Sequence, residues 1–313
     1  MSPTLSRREA LVGAGAMLTA GCAAAAPAQD RPKDEPFGYC LNTSTLMGHK
    51  ISLLDEIDLA QKAGFRAMEP WLREIQAYAD KGGSLKDLAK RFGDAGITVE
   101  SAIGFAEWIV DDDARRAKGM EVMKRDMDLV AQIGGKRIAA PPAGATNQTD
   151  LDLRKAAERY RAVCELGDTM GVIAEVEVWG PSKALGKLSE AAFIAIESGH
   201  PKACILTDVY HLYKGGSGHE SVRLLSGDKL PVIHMNDYPA DPPRDKITDA
   251  HRVYPGDGIA PLGTFFRTLR EIGCAAWLSV ELFNREYWKQ DAATVAKTAF
   301  EKTRAAVKKA FGK

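Results

Sequence analysis

The segment Trp277-Leu278-Ser279-Val280 is a short apolar run that leads directly into a carboxylate, Glu281. Three earlier runs have the same form and lead into Glu177, Asp208 and His234 respectively: Val172-Ile173-Ala174-Glu175-Val176, Ala203-Cys204-Ile205-Leu206-Thr207 and Leu230-Pro231-Val232-Ile233. Short β-branched runs between helical stretches are typical of buried parallel strands. A polar residue at the C-terminal end of four successive strands is what a (β/α)8 barrel needs to build one convergent site.

The residues at these four strand ends have the chemistry of metal ligands. A single Glu or Asp that closes a strand is more often a solvated strand end or a helix cap, but a series of four is hard to explain in that way. Three carboxylates and one imidazole suit a divalent cation such as Mn, Co, Mg or Zn. The sequence therefore predicts one divalent metal ion, held by Glu177, Asp208, His234 and Glu281.

Strand-like and helical segments alternate eight times from Phe37 onward. The predicted strands lie at 38–42, 67–69, 98–103, 137–140, 172–177, 205–208, 232–236 and 278–282, and the clearest helices at 53–63, 114–133, 152–170, 262–272 and 294–310. Eight such units favour a closed barrel over an open sheet, which would also require a Gly-rich phosphate loop that this sequence lacks. We predict a single-domain α/β fold, a (β/α)8 TIM barrel that forms the catalytic domain over residues 37–313.

Composition narrows the classes of function. Lys and Arg together number 42, as do Asp and Glu, so no net charge attracts nucleic acid or an anionic membrane. We therefore expect a small-molecule substrate and no nucleic-acid partner. The cysteines show no CxxC or zinc-finger spacing, and those at 40, 164, 204 and 274 are predicted to be small buried thiols. The oligomeric state stays open, with a homo-oligomer as one possibility.

The first 28 residues have the features of an export signal. Ser6-Arg7-Arg8-Glu9-Ala10-Leu11-Val12 is a twin-arginine element, and the uncharged run at 11–26 is too short for a stable membrane-spanning helix. We predict a cleavable twin-arginine signal peptide at 1–28 and a flexible linker at 29–36. A protein with this signal is expected to be periplasmic.

The same segment contains a candidate lipidation site. Leu18-Thr19-Ala20-Gly21-Cys22 resembles a lipoprotein cleavage box, although Thr19 stands where Leu is usual. Cleavage there would leave Cys22 as a lipid anchor, whereas the alternative is cleavage after Ala26 or Ala28. Contact with a membrane is expected only through the signal or this anchor.

Two connections are longer than a barrel requires, namely 108–114 after the third strand and 237–259 after the seventh. Long loops at the C-terminal ends of barrel strands usually shape the substrate pocket. Four aromatic residues are candidates for the apolar walls of a sugar site, with a role in the core as the alternative: Trp108, Trp179, Tyr254 and Trp288.

The chain resembles the xylose-isomerase-like TIM barrels, also called the sugar phosphate isomerase/epimerase superfamily, and within it the inosose (2-keto-myo-inositol) isomerases. The resemblance covers residues 37–310 and is most specific after residue 170. It rests on these segments: Ala174-Glu175-Val176-Glu177-Val178-Trp179-Gly180, Asp208-Val209-Tyr210-His211, Gly215-Gly216-Ser217, His234-Met235-Asn236-Asp237, Arg252-Val253-Tyr254-Pro255-Gly256-Asp257-Gly258 and Ser279-Val280-Glu281-Leu282-Phe283-Asn284-Arg285-Glu286-Tyr287.

This resemblance implies a metal-dependent isomerase or epimerase that moves a proton next to a carbonyl through an enediolate. Glu177 and Glu281 would be the catalytic pair, one taking the proton and the other delivering it, while the metal polarises the carbonyl. His211 and Arg252 match positions at which the family binds substrate, and a guanidinium fork can hold two hydroxyls. Glu69 corresponds to an acidic residue on the floor of the family's substrate pocket and is expected, like His211 and Arg252, to bind substrate.

Two departures bear on the substrate. Lys183 stands six positions after Glu177, where the family's epimerases of free ketohexoses carry an acidic residue, so a cyclic keto-polyol or keto-sugar is favoured. Inositol catabolism is cytoplasmic, so the predicted export signal favours a related but different substrate. The alternatives are a lyase or isomerase acting on 3-oxo-glycosides, a non-catalytic periplasmic sugar-binding barrel, and a nuclease similar to endonuclease IV. Six histidines and zero net charge argue against the nuclease.

The remaining ionisable residues near these segments are expected to be structural. Glu175 is predicted to point to the opposite face of its strand from Glu177 and to be packed or ion-paired. His49, His200 and His219 lie in helical or loop contexts and are predicted to be solvated.

Overall fold

The structure, a computed structural model, describes residues 35–312. The predicted signal peptide at 1–28, the lipidation site at Cys22 and most of the predicted linker lie outside the described residues. Within 35–312, no helix combines the length and the apolar character that crossing a lipid bilayer requires.

Eight parallel strands form the sheet, with the neighbour order β3-β2-β1-β8-β7-β6-β5-β4. The strands are β1 Gly38–Asn42, β2 Ala67–Glu69, β3 Thr98–Val99, β4 Arg137–Ala140, β5 Ile173–Glu177, β6 Cys204–Asp208, β7 Val232–Met235 and β8 Trp277–Val280. The two outer strands meet through backbone hydrogen bonds from Lys136 N to Val99 O (3.1 Å) and from Ala139 N to Ala102 O (2.9 Å). These bonds close the sheet, so the predicted (β/α)8 barrel is confirmed.

Nine helices of the described region surround the sheet: α1 Leu53–Ala63, α2 Leu72–Asp80, α3 Leu85–Asp94, α4 Asp113–Gln132, α5 Leu153–Met170, α6 Leu188–Glu197, α7 Val209–Gly215, α8 Leu262–Glu271 and α9 Ala292–Ala310. Local chemistry sets their ends. Ser52 caps α1 through the backbone N–H of Asp55, whose side chain returns the bond to the Ser52 N–H. Gly171 ends α5 with φ at 73°, a conformation that glycine adopts without the steric penalty of a side chain.

The third strand differs from the prediction, because only Thr98–Val99 forms regular ladder pairs. The rest of the predicted run stays extended and bonds to the chain that leaves β2, with Glu100 N donating to Met68 O and Ile103 N to Pro70 O. An isolated bridge between Trp71 and Ile103 completes this contact. The run is therefore continuous with the barrel but too irregular to be one strand.

The barrel interior holds a small apolar cluster beneath the strand ends. Its members are Cys40, Ala67, Ile103, Ala139, Leu206, Val232 and Trp277. Because strand side chains alternate with a period of two, the residues two positions after Leu206, Val232 and Ala67 also point inward, one layer higher. Those residues are Asp208, His234 and Glu69, so the same alternation that fills the barrel also delivers polar groups to its C-terminal mouth. The cysteines at 40, 164, 204 and 274 are buried and free, as predicted.

Candidate active site

Three carboxylates surround one nitrogen of His234 at the C-terminal ends of the strands. From Nδ1 of His234, Glu281 Oε2 lies at 3.2 Å, Glu177 Oε1 at 3.6 Å and Asp208 Oδ2 at 3.7 Å. The ligand atoms of Asp208, His234 and Glu281 all lie within 4.8 Å of one another. The four predicted ligands, from β5, β6, β7 and the residue after β8, are thus brought together, and each is buried.

Glu69 lies on the other side of the imidazole. Its Oε2 is 3.1 Å from Nε2 of His234 and accepts hydrogen bonds from Ser279 Oγ (2.6 Å) and Asn42 Nδ2 (2.9 Å). The side chain is fully buried. Glu69 therefore fixes the histidine from beneath, in the floor of the site.

Arg252 connects two of the metal-ligand candidates to His211. Its Nη1 donates to Asp208 Oδ2 at 2.8 Å and to Glu281 Oε2 at 2.7 Å, and Nη2 contacts Nε2 of His211 at 3.1 Å and the carboxylate of Asp249. Burial opposes ionisation of Asp208, but Arg252, His211 and His234 outweigh it and lower the pKa of this carboxyl to about 2. Asp208 is therefore a carboxylate at any physiological pH.

Charge and hydrogen bonding at the cluster fit a divalent cation. Burial raises the pKa of Glu177 to about 8; nearby Glu281 adds to this effect, and His234 opposes it. Burial would lower the pKa of His234, but Glu281 and Glu69 raise it well above its usual value. Among residues 35–312, Glu177 Oε2 and both ring nitrogens of His234 have no well-aligned hydrogen-bond partner. Buried polar atoms without partners are costly, so this excess of negative oxygen ligands suits a bound cation.

His211 faces the cavity as a neutral imidazole. Arginine can only donate, so Nε2 of His211 accepts from Arg252 and the ring proton resides on Nδ1. That Nδ1 has no hydrogen-bond partner in the described part of the chain. Burial lowers the pKa of His211, which keeps the ring uncharged. His211 is thus held by Arg252 as a neutral imidazole that lines the cavity.

The predicted orientation of Glu175 was wrong. Residues two apart on a strand share a face, and Glu175, like Glu177, lies inside the barrel, where it pairs in register with Ala139. Burial raises the pKa of Glu175 to about 8, against the effect of Arg137. The prediction that it is packed is confirmed, because its side chain is fully buried.

The prediction of solvated histidines was wrong at two positions. His200 and His219 are both buried; Nε2 of His200 contacts Asp168 at 3.1 Å, and Nε2 of His219 contacts the carbonyl of Val209 at 3.0 Å. His49 is half-buried and bonds to two backbone carbonyls. All three are structural, because each ring has a hydrogen-bond partner in the fold that sequence position does not reveal.

A cavity of about 510 Å³ opens above the cluster. Glu177, His211, Arg252 and Glu281 line its polar part, whereas Asp208, His234 and Glu69 lie deeper. Five aromatic side chains form its mouth, and we call this set the aromatic rim: Trp71, Phe105, Trp179, Phe283 and Trp288. Of the aromatic walls suggested by sequence, Trp179 and Trp288 belong to the rim.

The other two suggested walls, Trp108 and Tyr254, are buried in the core. Sequence reasoning missed Trp71, Phe105 and Phe283, although each follows the end of a strand and position alone would have marked them. The long connection after β7 contributes Asp249, Ala250 and Arg252 to the cavity, as predicted. The 108–114 connection supplies none of the cavity's lining residues within the described chain.

A family model for xylose isomerase-like TIM barrels matches residues 57–306. This chain belongs to that family. An inosose isomerase of Bacillus velezensis is 29% identical over 280 residues, which cover 88% of this chain and 98% of that protein. An L-ribulose 3-epimerase of Mesorhizobium japonicum is 25% identical over 221 residues, covering 67% of this chain and 69% of the relative.

A solved structure, described as the IOLI protein with a binding zinc atom, superposes on this family member with a TM-score of 0.81. Its sequence is 25% identical, and the match covers 88% of this chain and all of the other. The family assignment predicted from the sequence is therefore confirmed.

Proposed function

We propose that this protein is a metal-dependent isomerase or epimerase of a cyclic keto-polyol or keto-sugar similar to inosose. One observation carries the proposal: of the four carboxylates around His234, only Glu177 and Glu281 line the cavity. They approach the same ring nitrogen, while Asp208 and Glu69 are fully buried beneath. Two carboxylates that share one buried centre and face one cavity suit removal and return of a proton.

The relatives support the same class of enzyme. The relatives include an inosose isomerase and an L-ribulose 3-epimerase, and the former matches over nearly its whole length. Lys183, the position that separates this chain from the ketohexose epimerases, is exposed and lies outside the cavity lining.

The reaction we propose is a proton transfer between two carbons. One of Glu177 and Glu281 takes the proton from the carbon next to the carbonyl, which gives an enediolate, and the other carboxyl group returns a proton to the opposite face or the neighbouring carbon. Burial raises the pKa of the Glu177 carboxyl, whereas a cation bound beside it would favour the carboxylate that serves as the base. His211 and Arg252 line the cavity, and Arg252 holds Asp208, Glu281 and His211 in place around the reacting ring.

Glu177, Asp208, His234 and Glu281 would hold the metal ion. Such a cation supplies a Lewis acid that polarises a carbonyl and stabilises negative charge on its oxygen. The zinc atom of the structural neighbour supports this assignment. Activity with Mn, Co, Mg and Zn in turn would identify the preferred ion.

Proton exchange in D₂O tests the proposal. The full chain, loaded with Mn, Co or Zn in turn, is incubated with a panel of inososes, and NMR follows deuterium at the carbon next to the carbonyl. We expect exchange that depends on a metal, disappears with a chelator and returns when the metal is restored. Glu281→Gln should lower the exchange rate by at least about 100-fold, since positioned acid–base catalysis contributes that much.

Glu271→Gln is the matched control, because Glu271 is an exposed carboxylate on α8. It should exchange at the rate of the unmodified protein. Tight binding of inososes without any exchange would instead indicate a non-catalytic sugar-binding barrel. Full exchange by Glu281→Gln would contradict the catalytic role of that residue.

A lyase acting on 3-oxo-glycosides is the second candidate, because the aromatic rim leaves room for a substituent on the ring. The same carboxylate would remove the same proton, and the bond to the substituent would then break. NMR of the products separates the two: an isomerised ketone identifies an isomerase, and a released alcohol with an unsaturated ketone identifies a lyase.

A further inference from the structure

The rings of the aromatic rim come from four different loops and meet above the polar floor. Trp71 follows β2, Phe105 follows β3, Trp179 follows β5, and Phe283 and Trp288 follow β8. The ring centroid of Phe105 is 5.1 Å from that of Trp71 and 6.0 Å from that of Trp179, and the centroids of Trp71 and Phe283 are 6.1 Å apart. Such spacings are those of packed aromatic pairs, so four of the five rings form one continuous apolar surface: Trp71, Phe105, Trp179 and Phe283.

Two of these rings are fixed before any ligand arrives. Trp71 donates from Nε1 to Asn42 Oδ1 at 3.0 Å, and the guanidinium of Arg73 lies 4.4 Å from the ring centroid. Trp288 donates from Nε1 to the carbonyl of Thr45 at 3.2 Å. Their polar atoms are thus bonded to the protein, and the apolar ring surfaces remain for the cavity. A rigid site loses little conformational entropy on binding, which favours affinity.

Phe105 shows that the described part of the chain does not fully cover the aromatic rim. Its side chain keeps 43% of its surface exposed, although it lies between two tryptophans at the cavity mouth. Exposed single apolar residues are ordinary on protein surfaces, but an aromatic cluster around a binding cavity marks a place for an apolar ligand group.

The polar floor of the cavity and the aromatic rim suit two different parts of one ligand, the first polar and the second apolar. Glu177, His211, Arg252 and Glu281 suit a ring that carries hydroxyl and carbonyl oxygens, because all four are polar residues that line the cavity. The rim offers mainly ring faces and edges, against which a bare hydroxyl would lose its hydrogen bonds to water. A polyol alone would satisfy the floor and leave the rim unused.

We propose that the aromatic rim is a second subsite that binds an aryl substituent carried by the ring ketone, so that the substrate class is an aryl glycoside of a keto-sugar. This inference rests on the proposed function for the position of the reacting ring. The occupant is an aryl group rather than a second sugar, because the tilted and edge-on rings of the rim present the apolar contacts that another aromatic ring matches.

Binding without turnover provides the first test. The full metal-loaded chain is titrated with phenyl and with methyl glucopyranoside, in both anomers, by calorimetry and by tryptophan fluorescence. These probes lack the ring ketone, so their binding does not depend on catalysis. We expect the phenyl compound of one anomer to bind at least about tenfold more tightly than its methyl counterpart, since ring stacking and apolar burial favour it.

Variants locate the preference. Phe105→Ala and Trp179→Ala should each reduce the phenyl-to-methyl affinity ratio several-fold, and Phe105 is exposed enough that its loss should not disturb folding. Phe193→Ala on α6 is the matched control, because that ring contacts Arg154 on the outside of the barrel, and it should keep the ratio. Equal affinity for the two glucosides, or an unchanged ratio in both rim variants, would overturn the subsite.

Kinetics separates failure of the subsite from failure of the proposed function. The ratio of kcat/KM for phenyl and methyl 3-keto-glucoside should show the same preference and lose it in Phe105→Ala. Proton exchange with ketones but no preference for aryl compounds would refute the aryl subsite and leave the proposed isomerase function intact. An aryl preference with no proton exchange in any ketone would refute the isomerase and leave the subsite.

Discussion

Buried carboxylates in this protein differ in whether a cation lies nearby, and Glu56 on α1 is one for which no cation of the described chain lies at bonding distance. It is 3% exposed, and its Oε2 has no hydrogen-bond partner among residues 35–312. Burial raises the pKa of Glu56 to about 9, with Glu74 and Asp55 adding to the effect. Below pH 4.5 the folded and unfolded chains both hold the proton, and the folded state is then favoured most.

As pH rises from 4.5 towards 9, the unfolded chain ionises freely at Glu56 and the folded chain does not, so stability is lost. Glu56→Gln removes this titration. We expect the variant to exceed the unmodified protein in free energy of unfolding by about 2 kcal/mol or more at pH 8, and by less at pH 5. Urea unfolding followed by tryptophan fluorescence measures the difference.

Glu121→Gln, an exposed change on α4, serves as the control for Glu56→Gln and should leave the free energy of unfolding nearly constant across the same pH range. A variant at Glu56 that is less stable at pH 8 would show that the buried carboxylate is ionised and paired after all.

The connection after β7 is an element whose geometry depends on one residue. Asp237 accepts four backbone hydrogen bonds: Oδ1 from Tyr238 and Ala260, and Oδ2 from Gly256 and Gly258, all at 2.8–3.1 Å. A side chain at Gly258 would have its Cβ 2.3 Å from Asp237 Oδ1, so this approach requires glycine. Because Arg252 precedes the segment, Asp237 also sets the position of a residue in the candidate site.

Asp237→Asn should loosen this loop. The amide keeps one acceptor oxygen but turns an NH₂ group towards two backbone donors, which leaves both unsatisfied. We expect a loss of about 2 kcal/mol in the free energy of unfolding, together with a raised KM for the ketone substrate. Chemical denaturation and steady-state kinetics measure the two effects.

Asp257→Asn is the control in the same loop, because Asp257 is exposed and pairs with Lys302 at the surface. Its effect should stay within about 0.5 kcal/mol, as surface pairs contribute little. A wild-type KM and stability in Asp237→Asn would show that the loop is held by other contacts.

At the scale of the whole molecule, the barrel and its strand-end carboxylates were predictable because strand alternation and helix periodicity are local properties. Glu177 and Glu281 are 104 positions apart in the sequence, yet closure of the sheet brings both side chains to His234. The partners of His200 and the packing of Phe105 against Trp71 and Trp179 were not predictable, since loops and helices far apart in sequence make these contacts. The prediction for Glu175 was wrong although the sequence holds the answer, because residues two apart on a strand point to the same face.

The export of the molecule is the last prediction, and it concerns residues outside those that the structure describes. We propose a periplasmic protein that folds before transport, because a buried site built from four strands forms only in the closed barrel, and a twin-arginine signal suits folded cargo. Arg7→Lys combined with Arg8→Lys should retain the uncleaved precursor in the cytoplasm of a host with this export route. Cell fractionation with immunoblotting distinguishes the precursor from the shorter mature chain.

Arg31→Lys, a change of the same kind within the predicted linker, is the matched control for export and should leave the periplasmic fraction unchanged. Cys22→Ser tests the lipid anchor: if Cys22 is lipidated, labelled palmitate incorporated into the unmodified chain should be absent from the variant, which would be released as a water-soluble periplasmic protein. Normal export of the double arginine variant would refute the twin-arginine signal.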